Sequence, residues 1–327
     1  MGNSQSDKYT NLETSLHGKV VSSEKQIEEI LRHYTHFDNR NDHRFEDLVL
    51  YKSIGDVFIA KINHMFDDYE SFIDYIDMYE RRRHIESKCL LPLKNVIKIK
   101  EEDFRGDRFI IHLFIEYPYN DLKNEIAYRK LKGREFSERE LLKILKAGVE
   151  ALYRLKQARF NYRLVIDQHS ICLFDKPYSD TFRVKILEFS VKGLQNGMFE
   201  QSEEKLEENY IANCKYIALA VLEAAFLINE MIIYRNTSDF ILYRIIDEFQ
   251  SEYDDPDLSR IVEGFLKENM GLEEAFNIFD KRKHESQRYV YVDNKILKNE
   301  EINPRQSKRK SIVQDLMNPL DLKSILK

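Results

Sequence analysis

The first six residues of the 327-residue chain carry a pattern for covalent modification. Met1-Gly2-Asn3-Ser4-Gln5-Ser6 places a glycine after the first methionine and a serine at position six, which is the pattern for N-myristoylation of Gly2. A single myristoyl chain holds a protein at a membrane only weakly, with a partition constant of about 10⁴ M⁻¹. We therefore expect a peripheral membrane contact through Gly2 that a protein partner or a second signal must strengthen. The alternative is an ordinary terminal tail.

A basic run near the other end contains two candidate phosphorylation sites. Ser307 and Ser311 each follow basic residues within the segment 305–311, although such a run is also typical of a solvated surface segment. Beyond it, apolar residues recur from Ile312 to Leu326. Such a stripe either folds back on the domain or docks in the groove of a protein partner, and we favour the partner because the domain is complete without it.

Composition and cysteine content limit the classes of function. Cys89, Cys172 and Cys214 are odd in number and widely spaced, which fits neither a disulfide framework nor a metal site. The net charge of −6 arises from mixed charges, so we expect protein partners and no nucleic acid. No apolar run has the length of a membrane span and no secretory signal is recognisable, so we expect a cytoplasmic protein.

The elements that would position a site begin with strands. Residues 45–54 alternate between apolar and polar, Gly55-Asp56 forms a turn, and residues 57–62 form a second strand, which together predict a hairpin. A helix over 69–89 and strands over 96–101 and 108–115 complete a small sheet.

The chain after Ser137 is predicted to be mostly helical. Ser137 and Glu140 have the spacing of a capping box, and apolar residues then recur at helical intervals up to Leu155. A similar start is predicted at Ser22. The expected fold class is α+β and bilobal, like a protein kinase, with a small antiparallel-sheet lobe that has one helix, and a mostly helical second lobe. The predicted divisions are a tail (1–28), a sheet lobe (29–117), a helical lobe (118–283) and a second tail (284–327).

Several segments in this order resemble the protein kinase family over about residues 32–282. Residues 184–190 resemble the strand and turn that carry the metal-binding Asp-Phe-Gly, but here the motif is Glu188-Phe189-Ser190. Residues 155–164 are similar to the helix end that leads into the catalytic loop. Residues 213–223 and 271–276 resemble the central helix and the start of the last domain helix.

The resemblance implies a vestigial nucleotide site. Lys61, in the strand 58–62, takes the place of the lysine that contacts the phosphates, and Glu80, or alternatively Glu86, takes the place of its ionic partner on the helix. Ile115-Glu116-Tyr117 resembles the gatekeeper and hinge that hold adenine. Glu188 keeps a carboxylate where the family has a metal-binding aspartate.

Other positions have lost the groups that the family's reaction requires. The proton-accepting aspartate is matched by Leu164, or by Val165 if the loop is shifted by one residue. The second metal ligand is matched by His169 or Ser170, and Ser190 replaces a glycine. The expected turn at 39–42 has no glycine to cradle phosphates. Asn213 replaces an aspartate that anchors the catalytic loop.

The resemblance therefore implies a kinase-like protein without catalysis, a pseudokinase. We expect a scaffold or docking subunit of a cytoskeletal, ciliary or membrane-associated assembly, with no cofactor and at most weak binding of ATP with magnesium. One alternative is a divergent active kinase that uses Asp167 as base and Glu188 for the metal. Another is a regulator that holds ATP without turnover.

Overall fold

A computed structural model describes most of the globular part of the chain. It describes residues 20–42, 45–53, 57–103, 106–162, 164, 166–174, 182–188, 202–228 and 239–290. The predictions for Gly2, Val165, Phe189, Ser190, Ser307, Ser311 and the segment 312–326 lie outside these residues. The chain divides into two compact units, residues 1–276 and 277–327. None of the described helices is long and apolar enough to cross a membrane.

A five-stranded antiparallel sheet forms the first lobe, in the order β1-β2-β3-β5-β4. The predicted hairpin is confirmed, because β2 and β3 pair with Leu50 opposite Ala60. The predicted turn at 39–42 is wrong, since Asn39 pairs with Val49 inside β1. An edge strand pairs on one side only, which lets polar residues continue in it. The strands are β1 (Tyr34–Asp42), β2 (Phe45–Ser53), β3 (Phe58–Phe66), β4 (Leu93–Asp103) and β5 (Gly106–Glu116).

One face of this sheet is covered by helix α1 (Val20–Leu31). Ile27, Ile30 and Leu31 of α1 pack against a buried cluster on the sheet that is made of Ile59, Ile97 and Phe114. The helix starts before Ser22, so Ser22 does not cap it, and the predicted tail 1–28 overlaps an element of the fold. Burial of the apolar stripe on the sheet holds α1 in place.

The opposite face packs against helix α2 (Tyr69–Arg83). The Asp68 side chain accepts a hydrogen bond from the Ser71 amide at 2.7 Å and so caps the start of α2. The ring of His64 on β3 lies 4.8 Å from the ring of Tyr75. The predicted end of this helix at Cys89 is wrong. It ends at Arg83, and the following segment pairs with the second lobe through the amide of Leu91 and the carbonyl of Ile186 at 2.8 Å.

The second lobe consists of helices around a small sheet. The capping box is confirmed, since the Ser137 side chain accepts from the Glu140 amide and the Glu140 side chain accepts from the Ser137 amide. Its elements are β6 (Asn120–Asp121), α3 (Leu122–Lys132), α4 (Glu138–Gln157), β7 (Ile171–Leu173), β8 (Val184–Ile186), α5 (Glu203–Phe226), α6 (Asp239–Glu252), α7 (Pro256–Leu266) and α8 (Leu272–Val290).

Helix α5 is the buried centre of this lobe. Every residue from Ile217 to Phe226 is buried, which agrees with the central helix that the sequence predicted. Helices α4 and α5 approach closely at Gly148, where an added Cβ would lie 2.7 Å from the Cδ1 of Ile217. The core of the second lobe therefore forms around the contact between α4 and α5.

Candidate functional site

A buried ion pair joins the two lobes at the position where the sequence suggested a metal-binding carboxylate. Glu188 follows β8 and is 1% exposed, and Arg82 lies in the last turn of α2 and is also 1% exposed. The Arg82 Nε donates to Glu188 Oε1, and Nη2 donates to Oε2 at 3.2 Å. Nη2 also donates to the Leu91 carbonyl at 2.8 Å. The guanidinium thus binds the carboxylate at both oxygens, which is the strongest geometry for such a pair.

This ion pair changes the role that the sequence assigned to Glu188. The carboxylate has both oxygens bound to a buried cation and almost no exposed surface, so it is not presented to a nucleotide or a metal ion. The carboxylate that the resemblance places at the metal-binding position is therefore used in an ion pair within the protein. Glu188 closes the junction between α2 and β8.

A second bond in this junction connects α2 to the second lobe. The Tyr162 hydroxyl donates to Asp77 Oδ2 at 3.2 Å, and Asp77 precedes Arg82 by five residues on α2. Tyr162 is 4% exposed. Helix α2 is therefore attached to the second lobe at two points along its length.

Lys61 lies on the face of the sheet that α2 does not cover. Lys61 pairs directly with Phe114, and directly opposed residues of antiparallel strands point to the same face, which is the face under α1. The neighbouring residue Ile62 points to the face of His64 and α2. The predicted pairing of Lys61 with Glu80 is wrong, because Glu80 lies 3.5 Å from Lys98 and 3.7 Å from Arg83. Successive residues of a strand alternate between faces, so a shift of one residue reverses the direction of a side chain.

The predicted hinge does connect the two lobes. Ile115 is buried at the end of β5, and the Tyr117 amide donates to the Phe58 carbonyl at 2.9 Å. The Glu116 Oε2 accepts from the Lys185 Nζ of β8 at 2.8 Å. The Glu116 side chain is therefore used in a contact between the hinge and the second lobe. An adenine-binding role for the three hinge residues stays a prediction.

The predicted catalytic loop is held by two asparagines of α5. The Asn213 Oδ1 accepts from the Ile166 amide at 2.9 Å, and its Nδ2 donates to the Leu164 carbonyl at 3.3 Å. Asn209 binds the same loop, since its Oδ1 accepts from the Leu164 amide at 3.0 Å. Asn213 lacks the charge of the aspartate that it replaces, but its amide group both accepts from the loop and donates to it. Leu164 itself is buried.

Three further polar side chains of this loop have partners within the protein. The Asp167 Oδ1 accepts from the Ser170 amide at 2.8 Å and from the Ser170 hydroxyl at 3.0 Å. The His169 Nδ1 lies 3.1 Å from Asp121 Oδ2. The position predicted for the second metal ligand, His169 or Ser170, is therefore part of a hydrogen-bonded turn.

A buried carboxyl group lies next to this turn. The Gln168 Nε2 donates to Oε2 of Glu223, which is 2% exposed. Burial raises the pKa of Glu223 to about 7, and the nearby Asp167 adds to the rise, whereas the bond from Gln168 and the charge of Lys123 oppose it. Glu223 therefore titrates in the folded protein near neutral pH.

The sequence prediction missed Arg82, Asn209 and Glu223. Asn209 and Asn213 are four residues apart on one helix, a spacing that places both side chains on one face and was visible in the sequence. Arg82 had no such signal, because its partner is 106 residues away.

No protein-family model matches the chain, and no curated protein matches it either. Solved structures do. The PAN3 pseudokinase of Drosophila melanogaster matches with a TM-score of 0.51 and 13% identity, covering 78% of this chain and 68% of that one. A structure of Neurospora crassa PAN3, comprising the pseudokinase and C-terminal parts in complex with PAN2, matches with a TM-score of 0.49 and 12% identity. It covers 79% of this chain and 66% of that one.

The fold is therefore that of a protein-kinase-like domain. The predicted α+β bilobal fold class is confirmed.

Proposed function

We propose that this chain is a catalytically inactive, kinase-like scaffold that works by binding protein partners. The observation that carries the proposal is the buried pair of Arg82 and Glu188. In this pair Arg82 occupies the carboxylate that a kinase-like site would need for a metal ion. The pair also connects α2 to the residue that follows β8. Phosphoryl transfer depends on metal ions and on positioned charges, so a site without them loses its main source of rate enhancement.

The state of the loop supports the same proposal. Leu164 has no group that accepts a proton, and Asp167, the base in the alternative of an active kinase, has one oxygen bound to Ser170. A general base must reach the proton of its substrate. An active kinase is therefore the less favoured candidate.

The position of Lys61 also disfavours a regulator that holds ATP. A lysine that contacts phosphates in the interlobe cleft would have to point to the face of α2, and at this level of β3 that face carries the buried Ile62. ATP would then lack both the lysine and the metal-bound carboxylate. This leaves protein binding as the function that the site supports best. A cytoplasmic, cytoskeletal, ciliary or membrane-associated setting stays a prediction from the sequence.

The proposal is tested by two measurements on the purified full chain together with one on the endogenous protein. We expect no phosphate transfer from radiolabelled ATP to generic substrates beyond that of a Glu188→Gln variant. We also expect no rise in melting temperature with Mg-ATP, and stable co-purification of at least one protein in defined stoichiometry.

Each part of this test separates the candidates. Phosphate transfer that Glu188→Gln abolishes would identify an active kinase. A stabilisation of several degrees by Mg-ATP without transfer would identify the nucleotide-binding regulator. Recovery of the endogenous protein as a monomer without partners would contradict the scaffold.

A further inference from the structure

Polar side chains of β3 and β5 lie next to the apolar cluster on the sheet face under α1. Asn63 on β3 and His112 on β5 are direct partners in the antiparallel pairing, so their Cβ atoms lie about 5 Å apart. Lys61 is two residues before Asn63 and on the same face. Its diagonal distance to His112 is within the reach of a long side chain. The three side chains therefore form one cluster, which we call the β3–β5 polar cluster.

Two atoms of this cluster lack a hydrogen-bond partner among the residues that the structure describes. They are the Nδ1 of His112, whose residue is only 7% exposed, and the Oδ1 of Asn63. Buried polar atoms in native proteins are nearly always hydrogen-bonded, because an unsatisfied group destabilises the folded state. Two such atoms on directly opposed residues indicate a shared partner.

The cluster also carries a positive charge that none of the described side chains neutralises. Lys61 makes no ion pair with any described residue, and burial lowers its pKa. Burial and the charge of Lys61 together lower the pKa of His112 to about 4. The side chains of α1 that cover the neighbouring apolar cluster are Ile27, Ile30 and Leu31, which bring no charge. An anion at this place would favour the protonated forms of Lys61 and His112.

We propose that Lys61, Asn63 and His112 form a binding site for inorganic hydrogen phosphate. The oxygens of this ion accept hydrogen bonds from the Lys61 ammonium and from Nδ1–H of His112. Its single P–OH group donates to the Asn63 Oδ1, which needs a donor. Sulfate is of similar size but carries no O–H at neutral pH, so it leaves the Asn63 oxygen unsatisfied and binds more weakly.

This site is separate from the junction of Arg82 and Glu188, because the two lie on opposite faces of the sheet. It does not rest on the proposed function. Phosphate binding here would link β3 to β5, and it would give Lys61 a role on the face that α2 does not cover.

The test is a titration of the full chain with sodium phosphate at constant ionic strength, followed by melting temperature and by NMR of ¹³C-labelled histidine. We expect a saturable rise in melting temperature and a rise of the His112 pKa towards its ordinary value. Sulfate should bind at least about tenfold more weakly, corresponding to the loss of one hydrogen bond to a buried acceptor. Lys61→Met should reduce the apparent phosphate affinity by at least about tenfold.

Matched variants make the outcome decisive. Lys98→Met removes a lysine from the opposite face of the same sheet and should leave the response unchanged. If Lys61→Met fails to fold, Lys61→Gln replaces it. Asp47 is the register partner of Asn63 on β2, so Asp47→Asn tests whether that residue supplies the counter-charge. Three results would each overturn the proposal. The first is an equal rise in melting temperature with phosphate for wild type and Lys61→Met, and the second is an equal rise with sulfate and with phosphate. The third is phosphate binding by Asp47→Asn but not by wild type.

Discussion

At the scale of single residues, the carboxylate that the sequence placed at a metal-binding position is held in a buried ion pair. Glu188 keeps a negative charge, but Arg82 binds it within the protein. A buried charge that loses its partner is strongly destabilising, whereas replacing both partners by apolar groups of similar volume is often tolerated. The pair therefore fixes the geometry of the junction more than it adds net stability.

We predict that Arg82→Met lowers the free energy of unfolding by about 3–5 kcal/mol, because it leaves Glu188 buried without a counter-charge. Urea denaturation followed by circular dichroism measures this change. The double variant Arg82→Met/Glu188→Met should be less destabilised than Arg82→Met alone. Arg83→Met is the matched control, since its side chain is 40% exposed and its contact with Glu80 is long. Equal effects of the Arg82 and Arg83 changes would contradict the prediction.

The Glu223 carboxyl gives a second prediction, on pH dependence. Its folded pKa of about 7 lies above the unfolded value of 4.5, so the folded state holds a proton that the unfolded state releases. This contribution to stability is fully present below about pH 4.5, declines as the pH rises, and is lost above about pH 7. The total is on the order of 3 kcal/mol, at about 1.4 kcal/mol per pKa unit.

Comparison with Glu223→Gln isolates this effect. Burial also lowers the pKa values of His64 and His112 to about 4, which makes stability rise with pH between about 4 and 6.5. The histidines are present in both proteins, so their contributions cancel in the difference. We expect the stability of wild type minus that of Glu223→Gln to fall between about pH 4.5 and 7. A difference that is flat over this range would refute the assignment.

At the scale of elements, helix α5 organises the second lobe. Its buried segment packs on α4, and its amides at 209 and 213 bind the loop around Leu164. A carboxylate at 213 accepts a hydrogen bond from the loop amide but cannot donate to a carbonyl. The side-chain amide of Asn213 therefore suits this loop, because the loop presents both a backbone N–H group and a backbone carbonyl to the helix.

We predict that Asn213→Asp destabilises the domain by about 1–3 kcal/mol, although it restores the residue type of the kinase family at this position. The reason is that the carbonyl oxygens of Leu164 and Asn209 lose the bond from Asn213 Nδ2 and face a negative charge instead. The Leu164 carbonyl then keeps only the bond from Asn209 Nδ2 at 3.1 Å. Chemical denaturation measures the change, with Glu208→Gln on the exposed side of the same helix as control. Increased stability of Asn213→Asp would show that the loop prefers a charged anchor.

At the scale of the whole molecule, the two ends of the chain keep patterns that the folded domain does not explain. Gly2 and the segment 312–326 lie outside the described residues, and their sequence predicts acylation and docking. The junction at Glu188 is, in contrast, closed by contacts within the protein.

We therefore predict that function depends on the ends. Gly2→Ala should release the protein from membranes, because it removes the acylation site, and deletion of residues 312–327 should weaken partner binding without unfolding the domain. Cell fractionation and co-purification measure the two effects, and a Glu188→Gln protein that remains folded is the control for the cleft. The prediction would be contradicted if the Glu188→Gln protein lost its partners while Gly2→Ala and the deletion of residues 312–327 changed neither membrane association nor partner binding. The partner-binding site would then lie in the cleft.

The sequence by itself determined the architecture of the domain. Apolar periodicity identified the hairpin of β2 and β3 and the long helix α4, and the order of these elements indicated the bilobal fold. These properties are local, because the period of a strand or helix is set by its own backbone geometry.

Only the tertiary structure decided what the candidate site residues contact. The direction of the Lys61 side chain depends on the register of β3 against β5, because a shift of one residue exchanges the two faces of the sheet. The sequence shows that Lys61 and Asn63 share a face, since they are two residues apart, but it does not show which face that is. The pairing of Arg82 with Glu188 joins residues 106 positions apart, and it exists because α2 and β8 meet after folding. The period of a helix or strand carries no information about contacts between elements that are distant in the sequence. The structural role of Glu188 at the junction between the lobes therefore follows only from the packing of the folded chain.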